Sequence, residues 1–139
     1  MKTAVVYWSG TGNTEAMAGS VAEGAKSAGA EVSVFTAADF SADMVDQFDS
    51  IAFGCPSMGS EQLEDSEFEP MFNACEAKLS GKKVGLFGSY GWGDGEWMRN
   101  WEDTCKGDGA NLVCESVICN DAPDDDALEA CKKLGASLA

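Results

Sequence analysis

The sequence contains no histidine. That absence removes Ser-His-Asp and Cys-His catalysis, HExxH zinc sites and histidine-ligated haem together. Positive charge is scarce. Lys plus Arg number 9 against 24 Asp plus Glu, a formal net charge of −15. Such a chain repels nucleic acid and anionic membranes, which excludes both as general partners, and it suits an electropositive protein surface. No apolar run approaches the ~18 residues of a membrane span. Met1-Lys2 leads straight into a short apolar run and a glycine-rich turn, so no signal peptide is expected. The six cysteines, at positions 55, 75, 105, 114, 119 and 131, include no C-x-x-C pair. A thioredoxin-like motif, a zinc ribbon and the usual iron–sulfur spacings therefore fail. The six read as reduced thiols of a cytoplasmic protein.

A length of 139 residues with 45% hydrophobic content suits one packed domain spanning residues 1–139. Short apolar runs recur with helix-like segments between them. The runs are Ala4–Trp8, Val32–Phe35, Ile51–Phe53, Val84–Phe87, and Asn111–Cys114 continuing to Val117–Cys119. The first and fourth are continuous rather than alternating, as in strands buried on both faces of a parallel sheet. Helices are expected over Asn13–Ala28, Ser41–Gln47 with a Ser41 cap, Phe68–Leu79, Glu96–Lys106 and Asp124–Leu138. In the first helix, Ala16, Ala18, Gly19 and Ala22 keep it thin enough to lie close on a sheet. Strict alternation at this length implies an open, doubly wound α/β sheet with right-handed crossovers and helices on both faces. Ligands of such sheets bind at the C-terminal strand ends, so the loops after the strands carry the function.

The loop after the first strand reads Ser9-Gly10-Thr11-Gly12-Asn13-Thr14. Three hydroxyls and several N–H groups converge there at the start of a helix, an anion site suited to phosphate. The lysine of a P-loop is missing. Glu15 stands where the third glycine of a dinucleotide fingerprint belongs, and the second strand ends in Thr36 rather than an acid. A loop without Lys or Arg suits one terminal phosphate monoester held by hydrogen bonds. The loop after the third strand, Gly54 to Glu64, sets Met58 beside Gly59 and ahead of Glu61. The loop after the fourth, Gly88-Ser89-Tyr90-Gly91-Trp92-Gly93-Asp94-Gly95-Glu96-Trp97, leaves Tyr90 and Trp92 among four glycines. Met58 and Trp92 on opposing loops favour a flat ring clamped between them. Phosphate at one end and a planar ring at the other describe a mononucleotide, and FMN fits better than ATP or NAD.

With these motifs in family order and at family spacing over essentially the whole chain, the sequence closely resembles the flavodoxins, specifically the short-chain type of anaerobic bacteria. The resemblance implies a flavodoxin-like, doubly wound five-stranded parallel sheet of order 2-1-3-4-5. It also implies non-covalently bound FMN. Ser9, Gly10, Thr11, Gly12, Asn13 and Thr14 would hold its phosphate, helped by Ser89. Trp92 would stack on the outer ring face and Met58 on the inner. Glu61 would accept a hydrogen bond from the flavin N3–H. Gly91, Asn120 and Asp121 would meet the pyrimidine edge through backbone groups. Pro56, Ser57, Tyr90 and Gly93 complete the expected cofactor-binding set, with no catalytic or metal-binding residue. The Gly59-Ser60 peptide is the family's redox switch, and Ser60 stands where relatives often carry Asp or Asn.

The implied role is a low-potential one-electron carrier, not an enzyme, cycling mainly between semiquinone and hydroquinone. Glu61, Glu64, Asp65, Asp94, Glu96 and Asp121 flank the ring-side loops. Each would oppose a ligand that becomes anionic on reduction, by roughly 1.7 kcal/mol for unit charges ~10 Å apart at an effective dielectric near 20. The expected partners are redox proteins with basic docking surfaces, such as ferredoxin-type reductases and acceptors. They would meet a monomer at a rim of Asp94, Glu96, Glu61 and Glu64. Two other readings are weaker. A flavin-dependent reductase needs an open ring face, which Trp92 would cover. A response-regulator-like domain needs an acidic pocket at the strand ends, where Trp8-Ser9 and Gly54-Cys55 stand instead.

Overall fold

The computed structural model describes residues 1–59, 61–91 and 93–139. Strands are β1 (Lys2–Tyr7), β2 (Glu31–Thr36), β3 (Ser50–Gly54), β4 (Lys83–Tyr90), β5 (Asn111–Leu112) and β6 (Val117–Asn120). Helices are α1 (Asn13–Ser27), α2 (Phe68–Cys75), α3 (Glu96–Gly107) and α4 (Asp125–Leu138). All pairings within the sheet are parallel, in the order β2-β1-β3-β4-β5, with β6 also paired to β4. This is the expected doubly wound architecture, and it sends the C-terminal ends of β1, β3, β4 and β6 to one end of the molecule.

Three expected elements differ. The fifth strand is split: Asn111–Leu112 pairs with Lys83 and Val84 of β4, and Val117–Asn120 with Phe87 to Tyr90. The intervening Cys114-Glu115-Ser116 lacks the β-branched run that would carry the ladder across. Ala42–Gln47 is a 3₁₀ helix, and Ser41 makes no side-chain cap bond. That segment is too short and too poor in strong helix formers to sustain α geometry. The α2 helix stops at Cys75, and Glu76–Lys78 continue as a 3₁₀ turn.

The core forms two layers, one on each face of the sheet. On one face α2 and α3 pack by aromatic contact. The Phe53 ring meets Phe72 edge-on at 5.2 Å, and Trp101 meets Phe68 at 5.4 Å and Phe72 at 5.7 Å. Such pairs add to the area they bury. On the other face Val5, Met17, Val21, Phe87, Leu134 and Leu138 pack beneath α1 and α4. There Ala18 and Ala22 are buried as expected, whereas Ala16 and Gly19 face outward. The thinning that matters lies elsewhere. A Cβ on Gly24 would fall 2.0 Å from the Lys132 carbonyl oxygen, and one on Gly135 would fall 2.0 Å from that of Val21. The two helices therefore cross backbone to backbone. No helix of the described chain is long and apolar enough to cross a membrane.

Candidate functional site

The loop after β1 is organised by its own hydroxyls. Ser9 Oγ accepts the Gly12 N–H at 3.1 Å, and Thr11 Oγ1 accepts that of Asn13 at 3.5 Å. Gly12 is the N-cap of α1 at φ +94, a conformation glycine adopts without cost, and no side chain caps the helix. Beyond Asn13, the first-turn N–H groups and the positive end of the helix dipole are left to an outside acceptor. Thr14 and Ser89, both buried, bring their hydroxyls within 3.2 Å, and the Ser89 N–H points at Thr14 Oγ1 at 3.4 Å. Ser89 lines a cleft, and Thr14 touches it from the start of α1.

That cleft, of about 230 Å³, is lined by Gly10, Thr11, Asn13, Pro56, Ser57, Met58, Ser89, Tyr90, Gly91 and Asp121. Trp8 also lines it. Sequence reasoning missed this residue, although an aromatic directly before the glycine-rich loop, at the ligand end of a strand, was the available signal. Trp8 is braced by its Nε1–H, which donates to Glu67 Oε1 at 3.3 Å, and its ring lies over Gly10, where a Cβ would come within 3.1 Å. Gly88, Ser89 and Tyr90 complete β4 rather than a loop, and Tyr90 packs on Trp97 with ring centroids 5.5 Å apart. Asp121, at φ +56, donates its N–H to the Tyr90 carbonyl at 2.7 Å, and the Asn120 amide donates to the same oxygen at 3.3 Å.

On the β3 side, Met58 and Gln62 exchange two backbone hydrogen bonds of 2.8 Å. They close a hairpin whose tip includes Gly59 at φ +54 and Glu61 at φ +54. Met58 is 38% exposed. Glu61 Oε1 accepts the N–H groups of Asp94 (3.2 Å), Gly95 (3.2 Å) and Glu96 (3.0 Å), so its carboxylate caps α3 and ties the hairpin to the loop after β4. Gly93 gives it room, since a Cβ there would lie 2.3 Å from Glu61 Cδ. Glu64 turns inward as well and is 5% exposed. It accepts the N–H groups of Ser66 (2.8 Å), Glu67 (2.8 Å) and Phe68 (2.9 Å) together with the Ser66 hydroxyl. Burial opposes its charge, but these donors outweigh it and hold the carboxyl down at about 2. Glu64 therefore leaves the docking rim expected from the sequence, while Asp94 and Glu96 remain exposed. Ser60 and Trp92, expected at the switch and on the outer ring face, lie outside the described residues.

The six cysteines are free, and burial pushes the thiols of Cys55, Cys105 and Cys131 up to about 12 and that of Cys75 up to about 11. Cys114 and Cys119, less buried, are also raised. These are inert thiols. Lysines concentrate at one end of the sheet axis. Lys2 and Lys83 open strands, Lys26 and Lys106 end helices, and Lys78 and Lys82 precede β4, all at the end away from the cleft. Beside the cleft, the described cation is Arg99, held to Asp94 at 3.0 Å.

The flavodoxin family model matches residues 5–135. The chain belongs to the flavodoxin family. It is 50% identical over 135 residues to the flavodoxin of Megasphaera elsdenii, covering 97% of this chain and 96% of that one. It is 45% identical to the flavodoxin of Clostridium beijerinckii, covering 97% of each. The fold matches the solution structure of the two-electron reduced Megasphaera elsdenii flavodoxin with a TM-score of 0.90 at 51% identity, over 98% of this chain and 97% of that one. An archaeal flavodoxin structure matches at 0.84 and 30% identity, over 100% and 96%. Flavodoxins are flavin-binding electron-transfer proteins that serve redox partners, and this chain has the family's fold.

Proposed function

We propose that residues 1–139 form one FMN-binding domain that works as a cytoplasmic, monomeric, low-potential one-electron carrier between redox proteins with basic docking surfaces. The observation that carries this reading is the cleft in which Gly10, Thr11 and Asn13 at the start of α1 and Ser89, whose hydroxyl meets that of Thr14, lie beside Trp8, Met58, Tyr90 and Gly91. The residues fit FMN. Their donors are neutral hydroxyls and N–H groups at one end, as a single phosphate monoester requires, and the other end is flat and partly apolar. FMN supplies one-electron chemistry, here cycling mainly between semiquinone and hydroquinone.

The remaining work falls to the chain. Ser9 to Thr14 and Ser89 bind the phosphate. Met58 and Trp92 cover the ring faces, and Pro56, Ser57, Tyr90, Gly91, Gly93, Asn120 and Asp121 border the ring. The Gly59-Ser60 peptide turns its carbonyl towards or away from the ring. Glu61 offers a carboxylate oxygen to a ring N–H while Oε1 stays on α3. Asp65, Asp94, Glu96 and Asp121 add negative charge beside a ligand that becomes anionic on full reduction, which lowers the second potential. Exposed Asp94 and Glu96 meet the partner, and the six free thiols support a reducing compartment. A reductive titration followed by absorbance tests the whole reading. Purified protein is expected to be yellow and to pass through a blue form in two separated one-electron steps. A colourless preparation that takes up no FMN, or a single two-electron step, would overturn it.

A further inference from the structure

Helices α2 and α3 are fastened at both ends. Near the cleft, the carboxylates of Glu64 and Glu61 hold their N-termini. At the far end the fastening is of another kind. Glu76, the first residue of the 3₁₀ turn after α2, meets Asp108, which ends α3, side chain to side chain. The Asp108 backbone is fixed, because its N–H donates to the carbonyls of Thr104 (3.0 Å) and Cys105 (3.2 Å). Asp108 Oδ2 is buried and finds no hydrogen-bond donor among the described residues. A buried carboxylate oxygen without a donor carries the full cost of its lost hydration. Two carboxylates in contact also resist double ionisation, as in acid dyads.

We propose that Glu76 keeps a proton and donates it to the Asp108 carboxylate, forming a carboxyl–carboxylate clasp that joins the far ends of α2 and α3 and opens as pH rises past neutrality. The surroundings favour it. On α3, the Cys105 thiol neighbours the pair and is itself raised by burial and then by Asp108, Glu76 and Glu102, while Glu102 accepts the Ser116 hydroxyl at 2.7 Å. On the α2 side stands Cys75, also a neutral thiol. Lys78, on the same turn as Glu76, pairs with Asp46 of the neighbouring 3₁₀ segment at 3.4 Å, and Lys106 in the last turn of α3 is exposed. The adjacent strand β5, Asn111-Leu112, brings no titratable group. Burial, then the bond and charge of Asp108, push the Glu76 carboxyl up to about 7. Its folded value lies above the ordinary 4.5, so the clasp stabilises fully below that pH and is lost as pH rises through about 7.

Carboxyl ¹³C NMR of the full chain as purified, titrated with pH, tests the proposal. The Glu76 carbon is expected to shift with a midpoint near 7, and in D108N that midpoint should fall, though not all the way to the ordinary 4.5, because burial remains. A wild-type Glu76 midpoint below about 5, or one that D108N leaves unmoved, would overturn the clasp. The E76Q variant keeps a donor at every pH. Its urea midpoint should vary less than that of the wild type between about pH 5.5 and 8.5, and equal variation would also count against the clasp.

Discussion

Gly59 stands at φ +54 at the tip of the hairpin closed by Met58 and Gln62, and a Cβ there would meet nothing within 4 Å. Replacing it would cost backbone freedom and not packing. An L-residue in this region loses ~1 kcal/mol relative to glycine, and more if a peptide must turn between two conformations. Gly59→Ala is therefore expected to lower the first reduction potential by tens of millivolts while leaving the melting temperature of the oxidised form nearly unchanged. Potentiometry on the variant checks this, and unaltered potentials would remove the hairpin from the redox step. The hydroxyl-organised loop after β1 was legible in the sequence because its residues sit in six consecutive positions. Glu61 and Glu64 were not. Their acid side chains look like rim charges until the fold brings the N–H groups of Asp94, Gly95 and Glu96 to one and those of Ser66, Glu67 and Phe68 to the other.

At the level of elements, two fastenings invite direct tests. Glu64 caps α2 as a buried carboxylate held at about 2. Its folded value lies below the ordinary 4.5, so its contribution is present above that pH and disappears as pH falls towards 2. Glu64→Gln keeps the shape but loses charge-assisted bonds, and should destabilise by about 1–3 kcal/mol at pH 7, narrowing towards nothing near pH 2, as read by urea denaturation. The α1–α4 crossing is the second. Gly135→Ala would drive a methyl onto the Val21 carbonyl, a loss of about 1–3 kcal/mol by thermal melting. Gly19→Ala, with open space around it, should stabilise slightly through helix propensity. Sequence periodicity located α1 and its buried stripe of Met17, Val21 and Ala25. It misjudged which glycine mattered, because close approach is set by a partner helix more than a hundred residues away. The broken fifth strand escaped it for a similar reason: apolar residues continue through Val113 and Cys114, but the ladder to β4 stops at Leu112 and resumes at Val117.

For the molecule as a whole, the doubly wound sheet and the end at which its cleft opens were readable from strand–helix alternation, since crossover handedness leaves few alternatives. The distribution of charge was not, because lysines scattered along the chain converge only when strand starts and helix ends are brought together. An acidic ligand end predicts that electron transfer to a cationic redox protein slows steeply as ionic strength rises from about 0.01 M to 1 M, where the screening length shrinks from ~30 Å to ~3 Å. Asp94→Lys or Glu96→Lys should slow it at low salt, whereas Lys83→Glu, at the opposite end, should leave it nearly unchanged in stopped-flow measurements. The same polarity makes the protein a molecular dipole that orients itself. On a positively charged electrode or bead it would settle cleft-first, presenting its lysine-bearing end to solution, and current to the surface would need no tether to hold it there.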